Sequence, residues 1–136
     1  MKKLSLLLID DDEIERMKFK RVCQKNKYPH VILEAKNGEL ALDVLKNKEA
    51  LPDIIILDLN MPKMNGIEFL NILKSDDELK YIPIVIMSSS DNYLDVKECY
   101  KIGIAGYIIK PLHFTDYSIR IVSLLNYWSN IELAID

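Results

Sequence analysis

The chain has 136 residues, of which 49% are apolar and 29% charged, and its formal net charge is −3. That length suits one compact domain with a sizeable core and is short for two. The mild acidity excludes the broad basic field used in non-specific nucleic-acid binding, and no apolar run approaches the ~20 residues that span a bilayer.

The opening MKKLSLLLID runs straight into an acidic triplet and has no small-residue cleavage site, so residues 4–9 read as a strand rather than part of a leader. Asp12, with Glu15 three residues later, has the pattern of a capping box. It opens a predicted helix that buries Ile14, Phe19, Val22 and Cys23. The same helix carries Lys18, Lys20, Arg21, Lys25 and Lys27, which suit either a solvated face or a partner-binding patch. Residues 31–35 form the second apolar run, and Asn37 opens a helix burying Ala41, Val44 and Leu45. A third strand is predicted over 53–57, followed by a helix after Asn65-Gly66 that buries Phe69, Leu70 and Leu73. The fourth strand is placed over 82–87. Its helix follows Ser90-Asp91, turns Val96, Cys99 and Tyr100 inward, and stops at Gly103. Residues 105–109 give the fifth strand. The last helix starts near Thr115 with Ile121, Leu124, Leu125 and Trp128 on one stripe.

Runs such as IIIL and IVIM lack alternation, which suits strands covered on both faces. Five βα repeats imply an open, doubly wound α/β fold with a parallel sheet, because a closed eight-fold barrel needs roughly twice this length. The expected organisation is one domain with a core over about 4–128 and a short tail, 129–136. Cys23 and Cys99 lack zinc-site spacing and read as buried free thiols, in keeping with a cytoplasmic location.

In such sheets function gathers beyond the carboxyl ends of the strands. There the sequence supplies Asp10, Asp11 and Asp12 after the first strand, Asp58 after the third, Ser88 after the fourth and Lys110-Pro111 after the fifth. Three or more carboxylates together require positive compensation. Lys110 and a divalent cation are the candidates, and hard oxygen donors without His or Cys favour Mg²⁺ or Mn²⁺ over zinc. Asp12 alone is explained as a helix cap. A strand-end carboxylate beside a metal can attack a phosphoryl group to give an acyl phosphate, with a lysine and a hydroxyl such as that of Ser88 on the phosphoryl oxygens. Pro111 demands a stiff turn that aims Lys110 inward, with a cis peptide bond as one way to make it.

LLLIDDD, LDLNMPKMNG, IVIMSSS and AGYIIKP, in this order and at these separations, resemble the response-regulator receiver domain over nearly the whole chain. The resemblance implies a flavodoxin-like five-stranded parallel sheet of order 2-1-3-4-5. It implies Asp58 as phosphoacceptor, Asp11 as a direct metal ligand, Asp10 acting largely through water, and the Asn60 backbone carbonyl in the metal shell. Ser88 and Tyr107 become the switch pair and Lys110 the cation at the phosphoryl group. The phosphoryl donor would be a phosphohistidine on a sensor histidine kinase or a histidine phosphotransfer protein, with output through an altered protein partner or onward relay. His30 and His113 stand outside these motifs.

The last third of the chain is similar to single-domain regulators paired with phytochrome-type kinases, some of which form homodimers through the last helix. Tyr127 and Trp128 are therefore either interface anchors or core. A haloacid-dehalogenase-type phosphatase is disfavoured because Asn60 stands where that chemistry needs a second aspartate. A flavin or nucleotide carrier is disfavoured by the repulsion of three aspartates toward phosphate.

Overall fold

The computed structural model describes residues 1–62 and 64–134. The elements follow in chain order: β1 (Ser5–Ile9), α1 (Glu13–Lys25), β2 (Val31–Ala35), α2 (Gly38–Leu45), β3 (Ile54–Leu57), α3 (Gly66–Ser75), a short 3-10 turn (Leu79–Tyr81), β4 (Ile84–Ser88), α4 (Tyr93–Ile102), β5 (Gly106–Ile109) and α5 (Phe114–Trp128). All four strand pairings are parallel, and the sheet order is β2-β1-β3-β4-β5. The flavodoxin-like arrangement is thus present.

Alternation along each central strand feeds two cores. Leu6 and Leu8 of β1, Ile54 and Ile56 of β3, and Val85 and Met87 of β4 meet Phe19 and Val22 of α1 and Tyr117, Ile121 and Leu125 of α5. Leu7, Ile9, Ile55, Leu57, Ile84 and Ile86 face the other way, onto Ala41, Leu45, Phe69, Leu70, Leu73 and Cys99 of α2, α3 and α4. Both sheet faces are covered, which is why residues 6–9, 54–57 and 84–87 of these strands are all apolar.

Several expectations for side chains are corrected. Ile14 is 67% exposed: it lies five residues from Phe19, about 140° round the helix and off the buried stripe. Tyr100 is 52% exposed, about 100° round from buried Cys99. The cap of α4 is Asn92, whose side chain accepts from the Leu94 N–H, rather than Ser90-Asp91. β4 starts at Ile84, since the 3-10 turn and Pro83 occupy the residues before it. The described residues contain no cis peptide bond, so the Lys110-Pro111 turn is built in trans.

The capping box on α1 forms only half. Asp12 Oδ1 accepts from the Ile14 N–H at 2.9 Å, but the Asp12 N–H donates to Asp10 Oδ1 at 3.0 Å. Glu15 is thereby released from its capping role. Cys23 and Cys99 are free and buried, as expected. Trp128 is half-buried against the α1–α5 core and Tyr127 is exposed, their rings meeting edge to face at 5.2 Å. Among the described residues no helix is long and apolar enough to cross a membrane.

Candidate functional site

The strand ladders continue one residue into the site and fix its backbone. The Asp10 N–H donates to Ala35 O at 3.1 Å, the Asp58 N–H to Ile9 O at 3.0 Å and the Lys110 N–H to Ser88 O at 2.8 Å. Asp10, Asp58 and Lys110 therefore arise from three strands at one edge with little backbone freedom. Ser88 is the last residue of β4 and is fully buried.

Asp10 and Asp58 are only 5% and 8% exposed, while Asp11 is open to solvent. One carboxylate oxygen from each lies within 4.8 Å of the others, a spacing that a single divalent cation can bridge. Lys110 Nζ bonds Asp10 Oδ2 at 3.0 Å and stands 3.9 Å from both Asp58 Oδ1 and Glu15 Oε2. Burial pushes the Asp58 carboxyl up to about 6; Lys110 and the Asn60 N–H oppose the shift, and Asp10 and Asp11 add to it. For Lys110, burial acts to lower the pKa, but the carboxylates of Asp10, Asp58 and Glu15 outweigh it and hold the ammonium above its ordinary value. Among the described residues, three acids thus share the largely buried Lys110 ammonium, with Asp11 beside them. The hard oxygen set and the excess of negative charge suit a further divalent cation.

Asn60 is exposed, and its N–H approaches Asp58 Oδ1 at 3.4 Å. Ser88 Oγ accepts from the Ser90 N–H at 3.1 Å, and its hydroxyl also lies within reach of the Tyr107 side chain. Tyr107 is half-buried, and its hydroxyl donates to Ser90 O at 2.9 Å across the β4–α4 loop. The predicted residues Asp10, Asp11, Asp58, Ser88 and Lys110 all stand at this edge, with Tyr107 linked to Ser88 through Ser90. His30 lies away from it, its Nδ1 accepting from the Leu4 N–H at 3.0 Å near the start of β1.

Gly66 supports the site from below. A Cβ there would lie 2.7 Å from Leu59 Cα and 2.9 Å from Asp58 O, so backbone rather than a movable side chain blocks it. Gly66→Ala is expected to cost about 1–3 kcal/mol in urea unfolding and to displace the loop that follows Asp58. A loss below 0.5 kcal/mol, on the order of ordinary surface substitutions, would show that the loop yields freely.

Sequence reasoning missed three contributors. Arg16 Nη1 donates to Asp10 O at 2.6 Å while its Nε holds Glu34 Oε1 at 3.1 Å, clamping the end of β1 to β2. Tyr117, 1% exposed, walls a cavity of about 10 Å³ beneath Asp10, Asp58 and Lys110; extending the α5 stripe back one turn from Ile121 would have found it. Glu15 reaches Lys110, which no local pattern announces.

Residues 6–121 match the response regulator receiver domain. The chain belongs to this family. Phosphorylation on aspartate is the general property of such receivers, which take phosphoryl groups from histidine kinases. The receiver is 31% identical over 127 residues to the probable methanogenesis regulatory protein FilR2 of Methanothrix harundinacea, covering 90% of this chain and 82% of that protein. Its fold superimposes with a TM-score of 0.91 on the phosphorylated cyanobacterial phytochrome response regulator RcpA, at 27% identity over 98% of this chain and 99% of that one. The Mn²⁺-bound form of response regulator Rcp1 gives a TM-score of 0.88 at 25% identity, covering 97% and 99%.

Proposed function

We propose that this receiver accepts a phosphoryl group on Asp58 from a phosphohistidine of a sensor histidine kinase or a histidine phosphotransfer protein. One observation carries the reading: Asp58 is a buried strand-end carboxylate flanked by two further aspartates and by Lys110. In the transfer, a carboxylate oxygen of Asp58 attacks phosphorus, the P–N bond breaks, and its electron pair leaves with the imidazole. Asp10, Asp11, Asp58 and the Asn60 carbonyl would hold Mg²⁺ or Mn²⁺, the latter being the ion in the Rcp1 relative. That ion would supply charge neutralisation for the phosphoryl oxygens. Lys110 contributes the second positive charge, and the Ser88 hydroxyl, a donor as well as an acceptor, gives a directed hydrogen bond.

The acyl phosphate adds about two negative charges, which draw Ser88 toward Asp58. Ser90 N–H is bonded to Ser88 and Ser90 O to Tyr107, so that movement is transmitted to the tyrosine. The output is altered protein binding or onward relay by a unit with core 4–128 and tail 129–136. The kinase-docking face includes α1, where Ile14 and Met17 are exposed beside its basic residues. A homodimer through Tyr127 on α5 fits its 60% exposure. The protein acts as a signalling domain in the cytoplasm, catalysing only its own phosphorylation and dephosphorylation.

Intact mass after incubation with acetyl phosphate and Mg²⁺ tests the central claim. The expected result is a labile gain of one phosphoryl group, lost in Asp58→Asn and in EDTA. Gain undiminished in Asp58→Asn would place the acceptor elsewhere.

A further inference from the structure

The Glu15 side chain has one oxygen accounted for and one not. Oε1 lies 3.4 Å from Lys18 Nζ, whereas Oε2 is shielded from solvent and accepts no hydrogen bond from the described residues. A buried carboxylate oxygen without a donor is costly. Helix capping does not explain it, since the Asp12 N–H is taken by Asp10. What Oε2 does face is Lys110 Nζ, at 3.9 Å.

Lys110 has the complementary deficit. Its ammonium has three protons but, among the described residues, one hydrogen-bond partner, Asp10 Oδ2, with its side chain only 14% exposed. Asp10 is also one of the three carboxylates spaced to share a cation. A lysine and a divalent ion cannot both hold the same carboxylate closely without repelling each other. Movement of Nζ by about 1 Å would bring Glu15 Oε2 into hydrogen-bond range. The cavity lined by Glu15, Lys110 and Tyr117 lies beside both groups.

We propose that Glu15 is a positioning residue that receives the Lys110 ammonium when a divalent cation claims Asp10. The role rests on the metal site proposed above. It keeps Lys110 charged, ordered and close to Asp58 while the two cations occupy one acidic pocket. Asp10 alone cannot do this, because its oxygens are then shared with the metal.

The test is Mn²⁺ titration, followed by the electron paramagnetic resonance signal of free Mn²⁺ with no phosphodonor present. It compares wild type with Glu15→Gln, Glu15→Asp, Lys110→Met and the Glu15→Gln/Lys110→Met double variant. Glu15→Gln is expected to weaken Mn²⁺ binding about tenfold, the scale of one charge-assisted hydrogen bond. In the Lys110→Met background the same change is expected to weaken it less than about twofold, because no ammonium needs a new partner. Glu15→Asp, which keeps the charge but withdraws it by one methylene, is expected to behave as Glu15→Gln does, and this arm does not depend on how well Lys110→Met folds. Equal losses in both Lys110 backgrounds, or wild-type affinity in Glu15→Asp, would reduce Glu15 to a diffuse field and overturn the proposal. A wild-type protein that binds no Mn²⁺ would overturn the metal site itself and this role with it.

Discussion

Lys110→Met is expected to destabilise the metal-free receiver by about 3 kcal/mol at pH 7, the scale for removing one partner of a buried ion pair. Among the described residues Lys110 is the cation within ion-pair distance of both Asp10 and Asp58. Methionine keeps the apolar stem and removes only the charge, so packing loss contributes little. Two carboxylates that are 5% and 8% exposed would then lose the ammonium they share. The sign with pH follows from the raised ammonium pKa: the contribution is fully present below the ordinary value of 10.5 and is lost as pH rises through the higher folded value. Urea unfolding in EDTA measures the loss, and millimolar Mg²⁺ should restore part of it by supplying a second cation. A loss under 1 kcal/mol, the scale of an exposed pair, would mean that solvent already screens the pair.

The sheet was readable because its strands are buried on both faces. Residues 6–9, 54–57 and 84–87 are continuous apolar runs, and each is followed at the carboxyl edge of the sheet by Asp10, Asp58 or Ser88. The site was readable for the same reason, since charged residues stand out directly after runs that admit none. What stayed hidden depends on competition between equivalent local partners. Ser90, Asp91 and Asn92 can each cap α4; Asn92 does so because the Ser90 hydroxyl donates to Asp95 Oδ2 at 2.7 Å. Glu15 three residues after Asp12 looks the same whether it turns to its own helix or to the lysine that follows the fifth strand. Only the bond from the Asp12 N–H to Asp10 separates the two, and that bond depends on how β1 ends.

Asp58→Asn is expected to make the metal-free protein more stable at pH 7 while removing its phosphoacceptor. The wild-type carboxyl is raised from 3.8 to about 6, chiefly by burial. The folded state therefore holds the proton more tightly than the unfolded chain does. Asp58 favours folding fully below about pH 3.8, and that advantage is lost as pH rises through about 6. Relative to a neutral amide of similar size, the ionised side chain at pH 7 carries a penalty of about 2–3 kcal/mol. Urea unfolding in EDTA should show the variant ahead by this amount at pH 7 and the gap closing toward pH 4, where the remaining carboxylates affect both proteins alike. Equal stability at the two pH values would mean that Lys110 already neutralises Asp58 completely. Mg²⁺ should reverse the order, stabilising wild type more than the variant, because it binds the folded carboxylate cluster and not the open chain. In the proposed function the buried charge that weakens the resting fold is the one that would draw in the cation and attack phosphorus, so the cost in stability would fall on the residue that carries the reaction.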